Sequence, residues 1–228
     1  MHDFISGSMH GHLPDGIWNE VGSPSLRAAL RRAPAKGCTI GFAPGTSVAT
    51  TNGPCAIEHL RVGHHLQTRD HGILPVLWAG ALRQRFPGPQ VLFELAENTL
   101  GLHGAIQCAP RQTVLVSGDK ALTQFAKNEA LVEVRGLHRM YDVSRNKDAH
   151  GACYHVLLAR PALFLANGLW VDGLHPADLP DQGLAEETLQ TLQAAFAKHQ
   201  DGPKALTVIK GPEARALVDQ KMAEDNRF

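Results

Sequence analysis

Cysteine and histidine are the side chains of this chain that combine nucleophilic or acid–base reactivity with pKa values near neutrality. There are four cysteines, Cys38, Cys55, Cys108 and Cys153, and 13 histidines. The cysteines lie far apart and form no C-x-x-C pair. That pattern fits reduced, mostly buried thiols in an intracellular chain better than a disulfide framework or a zinc site. His59, His64, His65 and His71 form the densest histidine group. Metal ligation needs two to four convergent ligands at fixed spacing, and no H-x-x-x-H or carboxylate-bracketed pattern accompanies them. His10-Gly11-His12 is a weak copper or nickel chelator at best, and reads as part of a flexible arm. Gly41, Gly45, Gly53 and Gly63 make no phosphate loop, because no Gly-Lys-Ser/Thr follows them. Ser117 lacks a Gly-x-Ser-x-Gly setting. Trp78 and Trp170 read as core or strand-pair residues. The expectation is a chain with no metal and no cofactor.

The elements that would position these groups fall into three stretches. Residues 1–36 read as an N-terminal arm. Ser23-Pro24 offers a cap and a first-turn proline, and Leu26, Ala29, Leu30 and Ala33 follow at helical spacing until Pro34. From 37 to 179 the period changes to that of strands. Short apolar runs at 47–51, 65–68, 73–78, 91–95, 113–116, 131–134, 155–158 and 163–166 are separated by turn signals such as Asn52-Gly53 and Asp70-His71-Gly72. The spacing is that of an all-β sandwich or barrel. Residues 180–228 turn helical. Ala185, Leu189, Leu192 and Phe196 share one face, Asp201-Gly202-Pro203 stops the run, and Lys204–Lys210 could form one more strand. Gly211-Pro212 then opens a second helix carrying Ala214, Leu217, Val218 and Met222.

Composition narrows the partners. The chain has 228 residues, with 22 Lys+Arg against 22 Asp+Glu, and its zero net charge is not two opposed halves cancelling. That argues against nucleic acid or an anionic membrane as the default partner. No apolar run reaches the 18 residues a membrane helix requires. The first residues lack the charged-then-apolar layout of a secretory signal, so a cytoplasmic location is expected, with export lacking an N-terminal signal as the alternative.

One stretch carries more than composition. Gly41-Phe42-Ala43-Pro44-Gly45-Thr46 is followed by Ile57-Glu58-His59-Leu60-Arg61-Val62-Gly63 and then by Thr68-Arg69-Asp70. Pro75-Val76-Leu77-Trp78-Ala79-Gly80, Ala109-Pro110-Arg111-Gln112-Thr113-Val114-Leu115-Val116, Tyr154-His155-Val156-Leu157-Leu158 and Ala166-Asn167-Gly168 come after it in order. The ordered set resembles the bacterial Hedgehog/intein (Hint) domain over roughly residues 38–176. The resemblance implies a compact, pseudo-twofold, all-β fold whose start and end meet, here with an N-terminal helical arm and a C-terminal helical extension.

The resemblance also implies a chemistry. Hint domains cleave or splice themselves through an acyl shift, in which a Cys or Ser side chain attacks the carbonyl before it. A nearby histidine protonates the leaving amide nitrogen. The family's nucleophile position falls on Gly41, its first histidine on Gln112 and its second on Pro161. Gly41 has no side chain, Gln112 cannot shuttle a proton near pH 7, and Pro161 carries neither a proton nor a backbone N–H. Cys38, three residues upstream, is the surviving candidate nucleophile, although an odd step along a strand reverses side-chain facing.

The leading expectation is therefore a degenerate Hint domain, leaning away from enzyme. It would act as a structural or protein-interaction module, with Leu26, Leu30, Leu189, Leu192, Phe196, Leu217 and Val218 on terminal helices as docking candidates for a protein partner. The alternatives are self-cleavage at Cys38 and, more weakly, a histidine-rich metal-binding accessory protein.

Overall fold

A computed structural model describes residues 38–81, 90–138, 140–175, 177–178, 190, 193, 206 and 208–225. The predicted N-terminal helix with Leu26 and Leu30 lies outside the described residues. So do Leu189, Leu192 and Phe196.

Strand β1 (Ser47–Thr50) turns back into β2 (Gly53–Ala56) with Thr50 opposite Gly53. The two-residue loop needs positive φ just after Asn52, and Gly53 supplies it at +101°. β3 (His65–Gln67) and β4 (Ile73–Ala81) form a second hairpin. β5 (Gln90–Leu95), β6 (Ile106–Cys108), β7 (Thr113–Ser117), β8 (Glu129–Glu133), β9 (Val143–Ala149) and β10 (Tyr154–Leu158) follow. β11 (Leu163–Ala166) and β12 (Leu169–Asp172) close on Asn167-Gly168, whose φ values of +47° and +84° suit the right-handed twist of a tight hairpin.

The strands form two sheets. The larger runs β10-β4-β3-β1-β11-β12-β7-β8, with β2 beside β1, and the smaller runs β6-β5-β9. Val48 of β1 pairs with Ala166 of β11, so the start and end of the β region meet, as expected from the resemblance. Asn167 fastens that junction, accepting the Ser47 N–H at 2.7 Å and donating to Ala105 O at 2.9 Å. Phe42, outside the named strands, bridges both Cys108 and Tyr154, and its ring meets Phe164 edge-on at 6.1 Å in the core.

Two helices interrupt the β pattern, α1 (Asp119–Phe125) and the single turn α2 (Val134–Leu137). At the C-terminal side, most of the strand expected at 204–210 lies outside the described residues; among the described ones, β13 (Val208–Ile209) pairs parallel to β8 before α3 (Gly211–Asp225) begins. One face of the α3 helix packs against this chain. Ala214 is fully buried, and a Cβ on Gly136 of α2 would come within 2.7 Å of its methyl group. Leu217, expected to offer a partner surface, instead packs against this chain's own core. Val218 lies within the same helix. Among the described residues, no helix is long and apolar enough to cross a membrane.

Candidate functional site

The strip preceding β1 positions Gly41. Phe42 and Tyr154 exchange both backbone hydrogen bonds, at 3.0 and 2.8 Å, and the Ala109 N–H donates to Gly41 O at 2.9 Å. Gly41 is thus held between β10 on one side and the chain entering β7 on the other. Its φ is +105°, a conformation disfavoured for any residue with a Cβ. A Cβ there would stand 2.7 Å from His155 Cε1, 2.9 Å from Nδ1 and 2.9 Å from Tyr154 O. Those distances leave no room for a Cβ unless the His155 ring and the backbone at Tyr154 shift.

Gln112 is buried and directly bonded to Gly41. Its Oε1 accepts the Gly41 N–H at 2.9 Å, while its Nε2 donates to Asp172 O at 2.9 Å and to Thr113 O at 3.2 Å. Two carbonyls and one N–H leave no choice of amide orientation. An acyl shift at residue 41 would need a proton delivered to that nitrogen. Gln112 does the reverse, accepting the proton the amide already holds, and its donors are spent on carbonyls.

The imidazole at Gly41 belongs to His155, not to position 161. His155 is buried in β10 opposite Gly80 and stacks on Trp78, with ring centroids 6.4 Å apart. Burial pushes its pKa down to about 3. At pH 7 it holds a proton on both nitrogens in roughly one molecule in ten thousand, which makes it a poor proton donor. Pro161 sits in the turn between β10 and β11 and lines a crevice with Leu174 and His175. Position 161, where the resemblance puts the second histidine, therefore carries a proline in this turn, and the imidazole beside Gly41 comes from β10. The signal for His155 was its place in the strand Tyr154-His155-Val156.

Beside this cluster is a cleft of about 190 Å³ lined by Ile40, Gln112, Thr113, Asp172, Asp178 and Lys210. It is smaller than the several hundred Å³ typical of small-molecule sites. Thr113 donates to Asp172 Oδ2 at 3.2 Å on its wall.

The Cys38 N–H donates to Gln90 Oε1 at 3.2 Å, and its side chain packs with Leu92, Ala109, Ala149 and Cys153. All four cysteines are free thiols, Cys108 and Cys153 buried and Cys38 and Cys55 half-buried. Among the described residues, no three His, Cys, Asp or Glu side chains converge as a metal site. Sequence reasoning also missed Glu133. This buried carboxylate accepts from Arg111 Nε at 3.2 Å, Arg135 Nε at 2.7 Å and the Gly211 N–H at 2.7 Å. An acidic residue ending the apolar run of β8, with Arg135 two positions on, was its signal.

Among known folds, the chain is similar to a DnaB intein from Synechocystis sp. PCC 6803, at 15% identity and TM-score 0.39, covering 59% of this chain and 99% of that one. It is also similar to a bacterial intein-like domain from Clostridium thermocellum, at 11% identity and TM-score 0.40, covering 59% and 98%. No curated protein matches it. The family model of the Hint domain matches residues 40–178. That span is more than half of the sequence and holds Gly41, Gln112 and His155 together, and the chain belongs to the Hint domain family.

Proposed function

We propose that this Hint domain does not cleave or splice and serves as a structural or protein-interaction module that stays covalently joined to its flanking segments. The observation that carries the reading is the Gly41–Gln112 contact. At the position where the family places its nucleophile there is no side chain, and no room for a Cβ unless its neighbours shift. The amide that would have to leave donates its proton to a carboxamide oxygen instead of receiving one. His155, the imidazole at hand, is neutral.

A β framework built around buried hydrogen bonds at this point is what a scaffold needs. Gly41, Gln112 and Asp172 tie the strip before β1, the start of β7 and the end of β12 into one unit. Binding of a partner would then fall to segments outside that unit, since the described face of α3 is used internally.

The test is the intact mass of the full chain after incubation with and without dithiothreitol or hydroxylamine. The reading expects full-length protein under every condition. A fragment beginning at Gly41 or at Cys38 would overturn it.

A further inference from the structure

Cys38 and Cys153 lie 115 positions apart in sequence, yet pack in one small apolar cluster with Leu92, Ala109 and Ala149. The Cys38 side chain and burial both push the Cys153 thiol well above its ordinary pKa, as a neighbour in the same cluster would. The arrangement is held by Gln90, which is buried. Its Oε1 takes the Cys38 N–H at 3.2 Å, and its Nε2 donates to Gly151 O at 2.9 Å. One carboxamide therefore grips the backbones of both cysteine-bearing segments, two residues from Cys153 and at Cys38 itself. Phe42 and Tyr154 add the two-way backbone pairing just beyond. Two cysteines held in one small cluster by clamped backbones meet the first requirement for a disulfide, which tolerates little backbone movement.

We infer that Cys38 and Cys153 form a reversible disulfide, a thiol modification site that locks the entry of the domain onto β10 when a low-molecular-weight disulfide such as oxidised glutathione is present. Cys38 is half-buried and is the more exposed of the two cysteines, whereas Cys153 is buried. The Cys38 thiolate attacks one sulfur of glutathione disulfide, whose S–S bond breaks, and the departing glutathione sulfur takes up a proton. Cys153 then gives its proton to solvent and attacks the Cys38 sulfur, expelling the second glutathione thiolate, which is reprotonated. Two protein thiols are oxidised and one glutathione disulfide is reduced to two thiols. The neighbouring Cys38 side chain, together with burial, raises the pKa of Cys153. Cys153 therefore reacts as the resolving partner of Cys38 and not independently with solvent.

Closing a loop of this length removes much freedom from the unfolded chain. The bond spans Gly41 and Gln112, so it fastens the same junction the buried amide network holds. It does not depend on whether the chain cleaves itself, and intact mass under reduction separates the two questions.

The experiment equilibrates the full chain in buffers of oxidised and reduced glutathione. Acid quenching, alkylation of free thiols and peptide mapping by mass follow. The expected first product links Cys38 to Cys153, is lost in dithiothreitol, and raises Tm by roughly 10 °C. C153S should instead retain glutathione on Cys38. Gln90→Leu should shift the oxidised population from the internal bond toward the same adduct. The proposal is overturned if the wild-type chain keeps glutathione on Cys38 with Cys153 free, if Cys153 pairs with Cys108, or if neither thiol oxidises before Cys55.

Discussion

The carboxamide oxygen of Gln112 accepts the backbone N–H of Gly41 at 2.9 Å, across 71 positions of sequence and in the buried heart of the junction. The same side chain satisfies two carbonyls, Asp172 O and Thr113 O. Replacing it with Leu keeps similar bulk but orphans one donor and two acceptors. Each unsatisfied buried group costs about 1–3 kcal/mol. With partial relaxation, Gln112→Leu should lose about 3 kcal/mol, measurable as a fall in urea midpoint at unchanged m-value. A loss below about 1 kcal/mol would mean water or a rearranged backbone replaces the side chain.

Restoring the family's residue types should not restore a reaction. Gly41→Cys places its Cβ 2.7 Å from the His155 ring and forces an L-residue to φ near +105°. Steric overlap and backbone strain together should cost roughly 2–4 kcal/mol. Gly41→Ala should show nearly the same loss, because the penalty lies at Cβ. The double variant Gly41→Cys, Gln112→His should remain uncleaved on a denaturing gel after prolonged incubation with dithiothreitol. A thiol-dependent cut before residue 41 would show that the backbone around Gly41 shifts easily.

Much of this arrangement was legible in the sequence, and the gaps have physical reasons. Asn52-Gly53 announced its hairpin because few residues tolerate positive φ, and Asn167-Gly168, noted only within the ordered motifs, turns the β11–β12 hairpin for the same reason. Strand β9 gave no such signal. Val143–Ala149 is exposed at four of its seven positions, an edge strand whose apolar residues sit only at its ends. Gly41 and Gln112 were found by the order of the surrounding motifs, and they touch. Pro161 lies beyond β10, which ends at Leu158 after a register shift between Leu157 and Leu158. The inward-facing imidazole comes six residues earlier, from inside the strand. Leu217, expected on the second C-terminal helix, is half-buried against the core. Helical spacing says that a face will be buried, but not against which surface.

Acid should destabilise the domain through His155. Its pKa in the fold is about 3, below the 6.5 of an exposed imidazole. Between those values the unfolded chain binds a proton that the folded chain refuses. Stability is therefore complete above about pH 6.5 and falls as pH drops toward 3, by about 1.4 kcal/mol per unit from this group alone. His155→Asn should be less stable at pH 7.5 but should lose less on going to pH 5. Parallel pH profiles for the two proteins would show that the buried imidazole is not the responsible group.

Glu133 should govern the attachment of α3. Its carboxylate joins Arg111, Arg135 and the first N–H of that helix, at Gly211, while only 3% of the side chain is exposed. Removing one member of a buried charged network leaves the others uncompensated, at a cost of about 3–5 kcal/mol for Glu133→Ala. Glu133→Gln keeps the shape and one acceptor oxygen, so the loss should be smaller and local. Without the negative charge, the two guanidinium groups face each other across a neutral amide, and the Gly211 N–H competes for a single oxygen. Hydrogen exchange followed by mass spectrometry should then show faster exchange along 211–217, while β1, β11 and β12 keep their protection. Since Ala214 packs against Gly136, release of the helix should also uncover α2 and increase binding of a hydrophobic dye. Unchanged protection at 211–217 in Glu133→Gln would mean that apolar packing alone holds the helix, and that the carboxylate serves only to neutralise Arg111 and Arg135.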